Sequence, residues 1–212
     1  AMRWVKVLVM LVAALAFGQA AWALGPGSAG QAGGVSGSPH NLNNSGFTVP
    51  NSEICLPCHT PHHAKIPNWQ GALWNHADTT QTFTTYTTKT ETLPQPTGSS
   101  RMCLSCHDGV TAVDSYGPTT GTTAMLEKTP YSPVLGIDLS NDHPIGVVYP
   151  ATGAYVIPFV TENEPLTGSK GVQLVDGKVE CRSCHHSHSN ILGNFLRTPN
   201  DASKLCKKCH TK

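Results

Sequence analysis

Cys55-Leu56-Pro57-Cys58-His59, Cys103-Leu104-Ser105-Cys106-His107, Cys181-Arg182-Ser183-Cys184-His185 and Cys206-Lys207-Lys208-Cys209-His210 are four copies of one short pattern, and together they use all eight cysteines of a 212-residue chain. Cysteines three positions apart lie about one helical turn from each other, so both thiols reach the same side of the backbone. An imidazole directly after the second thiol sits beneath whatever the two sulfurs hold. This is the arrangement in which two thiols bond to the vinyl groups of one haem and the histidine ligates its iron. Each motif is sufficient for one attachment, so the chain is expected to carry four c-type haems.

Other chemistries also use paired cysteines. Zinc knuckles bring two Cys-x-x-Cys pairs to one tetrahedral ion, redox dithiols use a single pair, and exported chains oxidise pairs to disulfides. None of these needs a histidine after the second cysteine, whereas all four pairs here have one and no cysteine is left over. The motifs begin at unequal intervals, at positions 55, 103, 181 and 206, which speaks against a tandem repeat and for one continuous domain.

Away from the motifs the chain has little material for an ordinary core. It contains 20 Gly and 16 Pro, and much of its 39% hydrophobic content lies near the N-terminus. Long amphipathic periodicity is absent. The expected fold class is therefore a multihaem cytochrome: mostly irregular coil with short helices at the haem motifs, a few short strands, and a core built around four stacked haems whose flat apolar faces replace missing side chains. Short strands are expected at 146–149, 155–160 and 172–175, the last followed by an Asp176-Gly177 turn that suggests a hairpin. Residues 79–92 hold nine Thr with Phe83 and Tyr86 interleaved, which favours an extended surface segment or short strand over a helix.

Residues 1–23 read as a signal peptide: Arg3 and Lys6 supply the positive start, 7–17 the apolar stretch, and Ala21-Trp22-Ala23 a small-residue cleavage pattern. That apolar run is shorter than the roughly 20 residues of a spanning helix. The Gly-, Ser- and Ala-rich leader is expected to make 24–50 a flexible N-terminal arm, followed by a single tetrahaem cytochrome c domain over 51–212. A net charge of +1 with 13% charged residues gives no basic patch for nucleic acid.

Irons held by His59, His107, His185 and His210 need ligands on their other faces. Of the four methionines, Met2 and Met10 belong to the leader and Met102 abuts Cys103, leaving Met125, whereas seven further histidines are present, so bis-histidine ligation is expected. His62 follows His59 by three residues and His188 follows His185 by three. On a helical turn the two rings of such a pair leave from nearly the same face, so they cannot clamp one porphyrin from opposite sides, and His62 or His188 as a ligand must serve a different haem. His76 and His143 lie in the loops between motifs, beside Asp78 and Asp142 as candidate acceptors for the free ring N–H. His40 is on the arm, and His63 and His186 are read as spare. Five candidates, His40, His62, His76, His143 and His188, thus compete for four seats.

Beyond the motifs the chain reads Ser38-Pro39-His40-Asn41-Leu42, His59-Thr60-Pro61-His62, Leu73-Trp74-Asn75-His76, His107-Asp108-Gly109, Val113-Asp114-Ser115-Tyr116-Gly117 and Asp138-Leu139-Ser140-Asn141-Asp142-His143-Pro144. In these segments, together with the four motifs and in order over nearly the whole mature chain, it resembles the OmcE-type outer-surface tetrahaem c-type cytochromes. The resemblance implies bis-histidine ligation at all four irons, little regular secondary structure, and identical subunits polymerised head-to-tail into an extracellular filament. It also implies that one sixth ligand crosses the subunit boundary to a terminal haem of the next subunit, and that this ligand is His62.

The expected function is electron transfer rather than catalysis, with an extracellular or outer-surface location rather than a periplasmic one, and with other redox proteins or extracellular acceptors as partners. Two alternatives are a monomeric electron shuttle or docked redox subunit, and a multihaem reductase. A reductase needs an iron with an open sixth position, which an excess of histidines disfavours.

Overall fold

The computed structural model describes residues 33–64, 72–89, 91–123, 133–149 and 171–210; the leader at 1–23 and the candidate strand at 155–160 fall outside them. Helix α1 (Gly98–His107) carries the second motif and the one-turn helix α2 (Cys181–Cys184) the third. The fourth lies on a 3-10 turn, Cys206–Lys208. In the first, third and fourth motifs the histidine N–H bonds back to the carbonyl of the first cysteine, at 2.9 Å for His59, 3.0 Å for His185 and 3.0 Å for His210. This local turn brings the two thiols of a motif to one side.

A hydrophobic cluster packs against α1. Leu104, inside the second motif, is fully buried with Phe83 and Leu139, and Leu135 and Ile145 pack against them. Phe83 comes from the Thr-rich segment, which is extended: Thr79, Phe83 and Thr85 are buried while Thr80, Thr82, Thr84 and Tyr86 are exposed. That alternation is the period of a strand, and Thr84 bridges Asp138 in parallel. After α1 the chain turns at Gly109 (φ +72°), where a Cβ would meet Val134 Cγ1 at 2.7 Å. Asp108, almost wholly buried, fixes this corner by accepting from Thr79 Oγ1, Thr111 Oγ1 and the N–H groups of Val110 and Thr111.

Two two-residue strands, β1 (Val147–Val148) and β2 (Lys178–Val179), pair antiparallel with Val147 opposite Val179. Asp176 and Gly177 have φ of 50° and 73° and close a tight turn bridged by Val175 and Lys178, as the Asp-Gly signal implies. The strand itself falls after that turn rather than at 172–175. Only Val175 of that segment bridges across the turn, and Gln173 N–H is instead committed to Ser183 O at 3.1 Å.

Residues 33–50, grouped by composition with a flexible arm, are packed. Val35, Ser38 and Val49 are buried, Gly34 bridges Ser189, and Asn190 N–H donates to Gly33 O. The segment also ties itself down through Asn41 Nδ2 and Asn44 Nδ2, both donating to Ser36 O. Backbone and amide hydrogen bonds do this work, so hydropathy gives no sign of it. No helix among the described residues is long and apolar enough to cross a membrane.

Candidate haem-binding site

All eight cysteines and all eleven histidines are among the described residues. The cysteines are free thiols, and successive motifs bring theirs together. Cys103 and Cys181 are in hydrogen-bond contact, which raises the Cys103 thiol and lowers that of Cys181. Burial, then the neighbouring Cys55, pushes Cys58 up to about 11. Cys106 is raised by burial and then by Cys58, and Cys184 is pushed up to about 11 by burial and then by Cys209. First and second, second and third, and third and fourth motifs are therefore neighbours.

The second and third motifs are stitched by buried polar contacts. Ser100 Oγ donates to Glu180 Oε2 and accepts from Cys181 N at 3.0 Å, while Ser183 Oγ accepts from Glu180 N at 2.9 Å. Glu180 caps α2, and Ser100, Glu180 and Ser183 are buried. The Glu180-x-x-Ser183 spacing lets each side chain meet the other's backbone N–H, a reciprocal cap that the motif reading passed over.

The histidines come in pairs. His40 lies near His107 with ring centroids 6.3 Å apart, His59 near His188 at 5.8 Å, and His143 near His210 at 6.5 Å; His188 is also 6.0 Å from His186. Metal–imidazole bonds of about 2 Å, with about 1 Å more from each coordinating nitrogen to its ring centre, put two imidazoles on opposite faces of one metal roughly 6 Å apart. Three motif histidines therefore each have a histidine from elsewhere at a spacing compatible with a shared iron. His185 is in ring contact with no histidine among the described residues, and neither is His62.

Hydrogen bonds select the coordinating nitrogen. Nδ1 donates to a backbone carbonyl in His59 (Ala72 O, 2.5 Å), His107 (Pro133 O, 2.7 Å), His185 (Asn194 O, 2.9 Å), His40 (Ser187 O, 3.0 Å) and His143 (Pro144 O, 2.9 Å). That leaves Nε2 with its lone pair for a metal. Burial above all lowers His40, His107 and His188 from the usual imidazole value, which favours the neutral form that metals bind. The carboxylates expected beside His76 and His143 do not serve them. Asp78 accepts from Arg101 Nε at 3.0 Å and Ser105 Oγ at 3.1 Å, and His143 uses Pro144 O, because adjacent carbonyls are already within reach.

His76 differs from the other candidates. It is 1% exposed, Nδ1 lies 2.7 Å from Ala77 O, and Nε2 lies 3.1 Å from Val113 O and 3.5 Å from Cys106 Sγ. A neutral imidazole has one N–H, so only one of these contacts is a donated bond, and Nε2 as that donor has no lone pair for iron. His62 is the opposite case, exposed on the turn after the first motif, with His63 next to it at φ 57°.

The residues fit haem. Two free thiols on one turn, a histidine beside them whose Nδ1 is tied to a carbonyl in the first three motifs, and in three of four motifs a second imidazole at a compatible separation are what a c-type haem needs. Among the described residues no three His, Cys, Asp or Glu side chains converge to hold a bare metal ion. The indole Nε1 of Trp74, beside the first motif through its bridge to His59, is buried without a hydrogen-bond partner. No family model matches the chain, and no curated protein matches it.

Proposed function

We propose that this chain transfers electrons through four covalently attached c-type haems, each iron held between two imidazoles. The supporting observation is the set of three histidine pairs at 5.8–6.5 Å. On this reading His107 pairs with His40, His59 with His188, and His210 with His143. The fourth seat, opposite His185, is filled by His62 of a second copy, and His76 is a structural residue. Five candidates then reduce to four ligands.

Haem supplies a one-electron iron couple when bound. The chain supplies thiols for attachment and carbonyls that fix the imidazole tautomers. With two imidazoles per iron no seat remains for a substrate, which favours transfer over a reductase. Because His62 and His185 are both exposed and lack a histidine partner within the chain, joining copies through them gives a heterologous, head-to-tail contact that need not close. An outer-surface filament delivering electrons to extracellular acceptors belongs to this reading, as does export. The resemblance points to a terminal haem for the crossing ligand. The seat left open here belongs to the third motif, whose histidine is at the surface.

Two substitutions separate the ligand assignments. His188→Ala is expected to convert one of the four haems to a high-spin form that binds carbon monoxide when reduced. His76→Gln is expected to leave all four low-spin while lowering stability by about 1–3 kcal/mol through its lost buried hydrogen bonds. Electron paramagnetic resonance and carbon monoxide titration read both. A high-spin haem in the His76 variant would reverse the assignment.

A further inference from the structure

Arg197 is 2% exposed, the most deeply buried arginine among the described residues. Three hydrogen bonds hold it on the third motif: its N–H donates to Cys184 O at 2.9 Å, and Nε donates to Arg182 O at 2.6 Å and to His185 O at 3.1 Å. A guanidinium has five N–H donors, so the Nη groups remain available. No carboxylate among the described residues lies within ion-pair distance of Arg197, and the charge that bears on it most is the like-charged Arg182. Arg101 makes the contrast: it is more exposed and has Asp78 at 3.0 Å. A buried cation without an anion is costly, so an anion is required.

We propose that Arg197 pairs through its Nη groups with a haem propionate. This rests on the four-haem reading above. The propionate edge of a porphyrin lies opposite the edge that forms thioethers. A guanidinium seated on the Cys181–Cys184 turn is therefore at the wrong edge of its own haem, and its partner is a propionate of a haem held by a neighbouring motif. Arg197 is then a positioning residue that ties the third motif to the next haem and offsets negative charge there, which favours the reduced iron. Planar, bidentate matching of guanidinium to carboxylate explains why arginine, rather than lysine, suits this place.

The test uses the haem-loaded protein with Arg197→Gln and Arg197→Lys, after counting haems by intact mass. Arg197→Gln is expected to keep four haems, lower one of the four midpoint potentials, and shift the propionate-bending band of about one quarter of the haem in resonance Raman spectra. Arg197→Lys is expected to restore most of the potential but not the band, because it keeps the charge and loses the fork. An unchanged propionate band in Arg197→Gln with four haems present would overturn the pairing, even if a potential falls, since proximity of charge alone accounts for that fall. Wild-type protein without haem would instead overturn the underlying reading.

Discussion

The chain with all eight cysteines replaced by serine is expected to show no cooperative unfolding transition. Ordering a residue's backbone costs roughly 1–2 kcal/mol, while fully burying a Leu or Phe returns about 1.5–3 kcal/mol. Among the described residues the buried hydrophobic side chains cluster only at Phe83, Leu104 and Leu139, with the others, such as Val35, Val49 and Val113, dispersed, and the helices and strands are short. Most of the ordered chain consists of single bridges and turns, which hold no structure by themselves. On the proposed four-haem reading, haem faces supply the missing apolar contact and thioethers keep them in place. Circular dichroism through a urea titration makes the comparison. The haem-loaded protein should unfold in one transition and the serine variant should change gradually, whereas a cooperative transition in the serine variant would mean that the polypeptide carries its own core.

His62→Ala is expected to abolish assembly while all four haems stay covalently attached. No in-chain imidazole pairs with His62, so its loss removes nothing from the isolated subunit's fold. On the proposed ligation it removes one iron–nitrogen bond per junction, and every 1.4 kcal/mol lost there weakens association tenfold. The iron on His185 would be left with one imidazole, binding carbon monoxide when reduced, and exogenous imidazole should return it to low spin without restoring assembly. Electron microscopy and sedimentation read the first part, optical spectroscopy the second. Filaments that persist in the variant would show that copies are joined elsewhere, and a variant with every iron still six-coordinate would place the fourth ligand within the chain.

The residues proposed to attach haem are legible in the sequence because their chemistry is local: thiols three apart and a following histidine need only one turn of backbone. Pairing of the distal histidines is not local. His40 meets His107 because residues 33–50 dock onto the segment after the third motif through backbone and amide hydrogen bonds, which leave no hydropathic trace. His76 looks like a ligand by spacing and is set apart only by its burial between Ala77 O and Val113 O. The same limit explains the strand at Lys178–Val179: Asp176-Gly177 announces a turn, but the partner at Val147–Val148 is distant in sequence. Arg197 carries no motif and is singled out only by burial without a counter-ion.

The most direct measurement is the intact mass of the natively produced protein under denaturing conditions, which preserve thioethers and release bound ions. The mature chain plus four haems is the predicted result, with a low-spin optical spectrum before denaturation. A mass equal to the bare polypeptide, or to the polypeptide less the hydrogens of disulfide formation, would contradict it.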